Sequence, residues 1–208
     1  MGYHRAGFEV VGVDIKPQPR FPFEFHQADA MTYPLDGFDV IHASPPCQGY
    51  SALRCLPWLK DKQYPMLIEP MRERLKANGA IYVIENVERA PLNGFILCGQ
   101  QFGLPIYRHR KFEVGGAFIM NPVHEKHRFV IGHGRMLNDR AKGTLNASSN
   151  KGAWGNQKII TVAGGQFKKA DGERALKINW MTKKELSQAI PPAYTEYIGK
   201  QLMEYLKK

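Results

Sequence analysis

Cysteine is scarce in this 208-residue chain: Cys47, Cys55 and Cys98 form an odd set with no CxxC pair. That excludes a scaffold built on disulfides and points to a reduced, cytoplasmic setting. Long hydrophobic runs are also missing, since nothing approaches the roughly 18 apolar residues of a membrane span, so no membrane partner is expected. Acidic residues are in the minority, 19 against 29 Lys plus Arg, giving a net charge of +10. The surplus sits on the surface and suggests a polyanionic partner, although plain solubility or an anionic membrane surface would also accommodate it. Internal repeats and low-complexity blocks are absent as well. What remains, at 43% hydrophobic and 23% charged, suits one medium globular domain with a small appended lobe.

Residues 8–15 (FEVVGVDI) form an apolar, β-branched run ending at an acid and followed by prolines, the pattern of a buried strand. Residues 38–43 (FDVIHA) and 81–84 (IYVI) repeat it. Between these two, Met66, Leu67, Met71 and Leu75 recur at near-helical spacing, predicting an amphipathic helix over 65–75 that closes at Asn78-Gly79. Strands alternating with helices predict an α/β domain around a mostly parallel sheet, with ligands at the carboxyl ends of its strands. After about Glu113 the chain becomes glycine-rich and basic, with one short strand-like run over 158–162. Order returns with a Thr182-capped helix that carries Glu185 and stops at Pro191-Pro192, then a last helix over 195–206. The expected division is a catalytic domain over 1–113, a variable region over 114–177, and carboxyl-terminal helices over 178–208.

Three clusters stand where strands end. Asp14, closing the first run, is placed as nucleotide-binding folds place the carboxylate that accepts a ribose diol; a turn-capping aspartate is the other reading. In ASPPCQGYS (43–51), Cys47 follows a buried strand on a loop stiffened by Pro45 and Pro46, the fixed presentation a nucleophilic thiolate requires. Cys55 and Cys98 read as inert thiols. In IENV (84–87), Glu85 leaves a very apolar strand.

Taken together, ASPPCQGYS and VIENV resemble the DNA cytosine-5 methyltransferase family, whose hallmarks are a Pro-Cys loop and a Glu-Asn-Val strand end. GYHRAGFEVVGVDI is similar to the family's first helix and second strand, YRHRKFE to its Arg-x-Arg strand, and AIPPAYTEYIGKQL to its carboxyl-terminal motif. The resemblance implies a Rossmann-like, S-adenosylmethionine-dependent methyltransferase with a small, loop-rich recognition insert, acting on a base flipped out of double-stranded DNA. It makes Cys47 the nucleophile and Glu85 the acid at N3 of the base. Arg110 and Arg108 sit at the base carbonyl, and Pro45, Pro46, Gln48, Ser51 and Asn86 hold or close the loop, with Tyr50 helping to close the site. On the cofactor side it implies Asp14 at the ribose, Ile15 and Pro46 beside the adenine, Asp29 with Ala30 at the adenine amino group, and Tyr194 with Pro191-Pro192 along the methionine end.

The variable region would supply phosphate contacts from His124, Lys126, His127, Arg128, Arg135, Arg140, Lys142, Lys151, Lys168 and Lys169. His124, His127 and His133 lack supporting cysteine spacing, so no metal is expected. The pattern breaks at the start. The family opens with a strand and a glycine-rich loop, whereas Met1-Gly2-Tyr3 already lies in the helix that follows them. The expectation is therefore a missing first strand, explained by a late start site, by a separate polypeptide that supplies it, or by decay. Ile106 also stands where the Arg-x-Arg motif usually has Gln, and Ser187-Gln188 replaces the usual Gly-Asn. Two other activities remain open: a catalytically impaired, nucleic-acid-binding remnant of the family, and a C5 methyltransferase of RNA or nucleotides.

Overall fold

A computed structural model describes residues 1–51, 57, 61–124, 160–162 and 167–207. Its strands are β1 (Val11–Asp14), β2 (Glu24–Gln27), β3 (Val40–Ala43), β4 (Ile81–Asn86), β5 (Phe95–Leu97) and β6 (Arg110–Gly115). Its helices are α1 (Gly2–Arg5), α2 (Ile68–Asn78), α3 (Lys169–Leu176), α4 (Lys183–Gln188) and α5 (Pro192–Leu206). The predicted amphipathic helix is α2. It buries Ile68, Met71 and Leu75 at three- and four-residue spacing and ends at Gly79, whose φ of 84° only glycine adopts without strain. The Thr182 cap forms as expected: its hydroxyl accepts the Glu185 N–H while the Glu185 carboxylate accepts the Thr182 N–H.

The architecture is mixed α/β with two sheets, and among the described residues parallel pairing is confined to β1-β2 and β3-β4. β1 and β2 pair in parallel as one sheet; the other runs β3-β4-β6-β5, and in it only β3 and β4 are parallel. The reason lies in the connections. α2 provides the crossover that parallel neighbours need between β3 and β4, whereas β5 reaches β6 through a loop and a single 3-10 turn (Gly99–Phe102), which reverses the chain. β1 differs from its forecast. It is half-buried throughout rather than buried, and Ile15 beyond it is 65% exposed.

Alternation along the central strands divides the core. Tyr82 and Ile84 join Ala43, Ile68, Met71 and Leu75 on the α2 face, while Val83 joins Phe112, Tyr194, Ile198 and Leu202 on the α5 face. The same period puts His42, Ser44 and Glu85 on the α5 face. Ile160, Val162, Phe167 and Leu176, assigned from sequence to the variable region, belong to that α5-side core, and Ile160 bridges Ile106. Across the other face a buried ion pair fastens α2 to β6: Arg72 donates to both oxygens of Glu113 at 2.7 and 2.9 Å, and the Asn93 N–H adds a third bond at 2.8 Å.

Candidate active site at the ends of β3 and β4

Parallel pairing sets Ala43 opposite Ile84, so the Pro-Cys loop and Glu85 leave the sheet side by side. Asn86, 1% exposed, reaches across and donates to the Pro45 carbonyl at 2.8 Å, which fixes the loop to the end of β4. Cys47 is half-buried and opens a 3-10 turn over Gln48–Tyr50. That turn packs so closely on Met66 that a side chain at Gly49 would meet its sulfur at 2.4 Å. The Tyr50 hydroxyl then accepts the Ile68 N–H, tying the turn to the start of α2.

Glu85 is buried, with Arg110 Nε at 2.9 Å from its carboxylate. The contact is diagonal across the antiparallel β4-β6 pair, where Glu85 faces Phe112. Burial pushes the Glu85 carboxyl above its ordinary range; Arg110, a hydrogen bond from Ser44 and the charge of Arg108 pull it back only in part. Behind it runs a series of polar groups that the sequence did not reveal. The Tyr3 hydroxyl meets His42 Nδ1 at 2.7 Å, His42 Nε2 meets Ser44 Oγ at 3.1 Å, and Ser44 bonds Glu85. Burial pushes His42 down to about 4, so its ring is neutral, and burial also raises the Tyr3 phenol, which keeps its proton. With Glu85 ionised, the donors are ordered one way: Tyr3 to His42, His42 Nε2–H to Ser44, Ser44 to Glu85. The two-residue spacing of His42 and Ser44 on β3 is the sequence signal that could have found them; nothing local marks Tyr3.

Arg108 is more confined than Arg110. Its Nη1 donates to the Val162 carbonyl and its Nη2 to Ser187 at 3.0 Å, while its buried Nε has no partner among the described residues. Burial, then the charge of Arg110, push this guanidinium downward; Glu85, Tyr194 and Cys47 are close enough to oppose the shift. Tyr194 is fully buried against Phe102 and Phe112, and its hydroxyl donates to the Arg108 carbonyl at 2.6 Å, so it supports the arginine strand from beneath. A cavity of about 290 Å³ is lined by Ser51, Val87, Arg108, Arg110, Thr161 and Val162 among others. Cys47 and Glu85 are not in its lining. Cys47 connects to it through the turn ending at Ser51, and Glu85 through Arg110.

The other expected residues lie at the ends of β1 and β2. Asp14 accepts the Lys16 N–H at 2.8 Å and Gln18 Nε2 at 3.1 Å; Asp29 accepts the Met31 N–H at 2.8 Å. Asp29 and Ala30 are exposed, as is Pro46. These carboxylates keep free lone pairs beside the bare Ile15 side chain, a combination suited to an adenosine, whose hydroxyl and amino groups donate and whose ring is apolar. Among the basic residues expected to touch phosphates, His124, Lys168 and Lys169 are described; Lys126, His127, Arg128, Arg135, Arg140, Lys142 and Lys151 lie outside the described residues, as do Cys55 and His133. His124 does not stand alone, because its side chain gathers with those of Cys98 and His109. No described helix is long and apolar enough to cross a membrane. Neither the models of known protein families nor the curated proteins include a match to this chain.

Proposed function

We propose that the protein is a methyltransferase acting on C5 of cytosine in double-stranded DNA, built on a Rossmann-like core and using S-adenosylmethionine. The observation that carries this reading is the convergence at one sheet end of a buried, arginine-held Glu85 and a Pro-Cys loop bonded to the same strand through Asn86. A family resemblance in the motifs supports it, and so does a surplus of basic charge.

Carbon 5 of cytosine is too weak a nucleophile to take a methyl group unaided. The Cys47 thiolate adds to C6, forming an S–C6 bond; the ring electrons shift so that N3 accepts a proton and C5 gains enamine character. Glu85 supplies that proton, and burial, which raises its carboxyl, strengthens its hold on one. Arg110 keeps the acid oriented and neutralises its charge once the proton has left. Arg108, with one buried donor to spare, offers it to the base carbonyl. S-adenosylmethionine supplies an electrophilic methyl group, and Asp14, Asp29 and Ile15 would hold its adenosine. N3 returns its proton to Glu85 as C5 is methylated, and loss of the C5 proton to solvent then expels the thiolate and restores the ring. The resemblance sets the family's first strand centrally, and β1 and β3 are each at a sheet edge; a strand from a separate polypeptide or a preceding segment would join them there.

Addition at C6 can be followed without the methyl donor, because the enamine exchanges its C5 hydrogen before the thiolate leaves. The chain is expected to release tritium from DNA carrying 5-tritiated cytosine, and to transfer labelled methyl groups when the cofactor is present. Cys47→Ala abolishes both. Neither release nor transfer, from a folded chain that binds DNA and cofactor, rejects the reading.

A further inference from the structure

At the opposite end of β6 from its glycines, three side chains from separate segments converge. Cys98 closes β5, His109 precedes β6, and His124 lies on the chain that leaves β6; one donor atom from each lies within 4.8 Å of the others. The two imidazoles face each other through Nε2, 3.1 Å apart. The Cys98 sulfur accepts backbone N–H groups of Gly99, Gln100 and Arg108, which fix its position between β5 and β6. His109 turns its other nitrogen, Nδ1, to the Glu88 carboxylate at 3.1 Å.

We infer that Cys98, His109 and His124 form a zinc-binding site. Tetrahedral zinc bonds sulfur at about 2.3 Å and imidazole nitrogen at about 2.0–2.1 Å, which sets two nitrogen ligands about 3.3 Å apart. The observed separation of 3.1 Å nearly meets that spacing. Glu88 plays the part that carboxylates play behind ligating histidines: it fixes the His109 tautomer so that Nε2 presents its lone pair. Burial decreases from Cys98 through His109 to His124, so the site opens to the surface at one side, and three protein donors leave a fourth position for water. Gln101 already clips the chain before His124 by donating to the Pro122 carbonyl at 2.9 Å. Zinc would lock that clip, fastening the base of the segment that follows residue 124 to β5 and β6. Glu88, Tyr107 and His109 also line the 290 Å³ cavity, so the metal would brace one wall of it. This site does not depend on the chemistry proposed for Cys47 and Glu85.

The test titrates the full chain with zinc against a chelating dye and then replaces zinc with cobalt. One metal per chain is expected, with a near-ultraviolet sulfur-to-cobalt band. Cys98→Ser should remove the band, and His124→Asn should weaken zinc by more than the roughly 10–100-fold typical of losing a supporting carboxylate; Glu88→Gln should fall within that range. His124 is the most open of the three, so its variant keeps the fold, as circular dichroism would verify. Cys47→Ser should retain both metal and band. Failure to bind one zinc, or binding and a band unchanged in His124→Asn and Cys98→Ser, overturns the assignment.

Discussion

Both sheets end in carboxylates, and they use them in opposite ways. Glu85 at the tip of β4 is buried, paired with Arg110 and backed by Ser44, His42 and Tyr3. Asp14, half-buried at the tip of β1, and Asp29, exposed just beyond β2, bond mainly their own turns. A group that exchanges protons with a substrate needs a dry, rigid setting that shifts its affinity for the proton. A group that recognises a soluble ligand needs spare lone pairs and access. The contrast extends to packing: the β3-β4-β6-β5 sheet is covered on both faces, whereas β1 is half-buried and Ile15 is bare.

The sharpest way to break this contrast is Glu85→Gln. It keeps the shape but removes the acid, so C5 hydrogen exchange and methyl transfer should fall by about 10²–10⁴-fold, while chemical denaturation shows an intact fold. Glu113→Ala should be the most damaging to stability, because buried Arg72 loses both bonds to its interior carboxylate and keeps only Glu69 and the Pro91 carbonyl; about 3 kcal/mol, the lower end for a broken buried pair, is expected in urea unfolding. The same pair predicts acid sensitivity. Although burial alone would raise Glu113, the bonds from Arg72 and Asn93 hold its carboxyl below 4.5 in the folded chain. Its contribution is therefore complete above about pH 4.5 and is lost as pH falls through the lower, folded value; Glu113→Gln should flatten that part of the stability profile. The smallest effect should come from Asp14→Asn, within about 0.5 kcal/mol of the parent because its bonds are local, to Lys16 and Gln18. Cofactor affinity, read by calorimetry, should weaken all the same. A large loss of stability there would mean that the β1 end is structural after all.

Local signals were legible where a residue's chemistry and its neighbours in sequence agreed. Gly79 after an amphipathic run, the Thr182 and Glu185 pair, and Cys47 behind two prolines are each decided within a few residues, and α2 and α4 appear where those signals put them. Contacts that close over long separations were not legible. The reversal of β6, the Tyr3–His42 bond 39 residues apart, and the convergence of Cys98, His109 and His124 all depend on how strands are ordered in the sheet. Cys98 illustrates the difference: alone it reads as a buried thiol, and only the fold brings two imidazoles to it. The half-burial of β1 has the same origin, since an apolar run cannot announce how many neighbours its strand will have.

The ordered donors behind Glu85 make His42 a built-in reporter. When the acid loses its proton, Ser44 must turn its hydroxyl toward it and His42 must carry its hydrogen on Nε2; when the acid is protonated, that demand disappears. Nitrogen chemical shifts of this one ring, in a chain labelled only at histidine, would thus read the state of the carboxyl group from behind, without touching it.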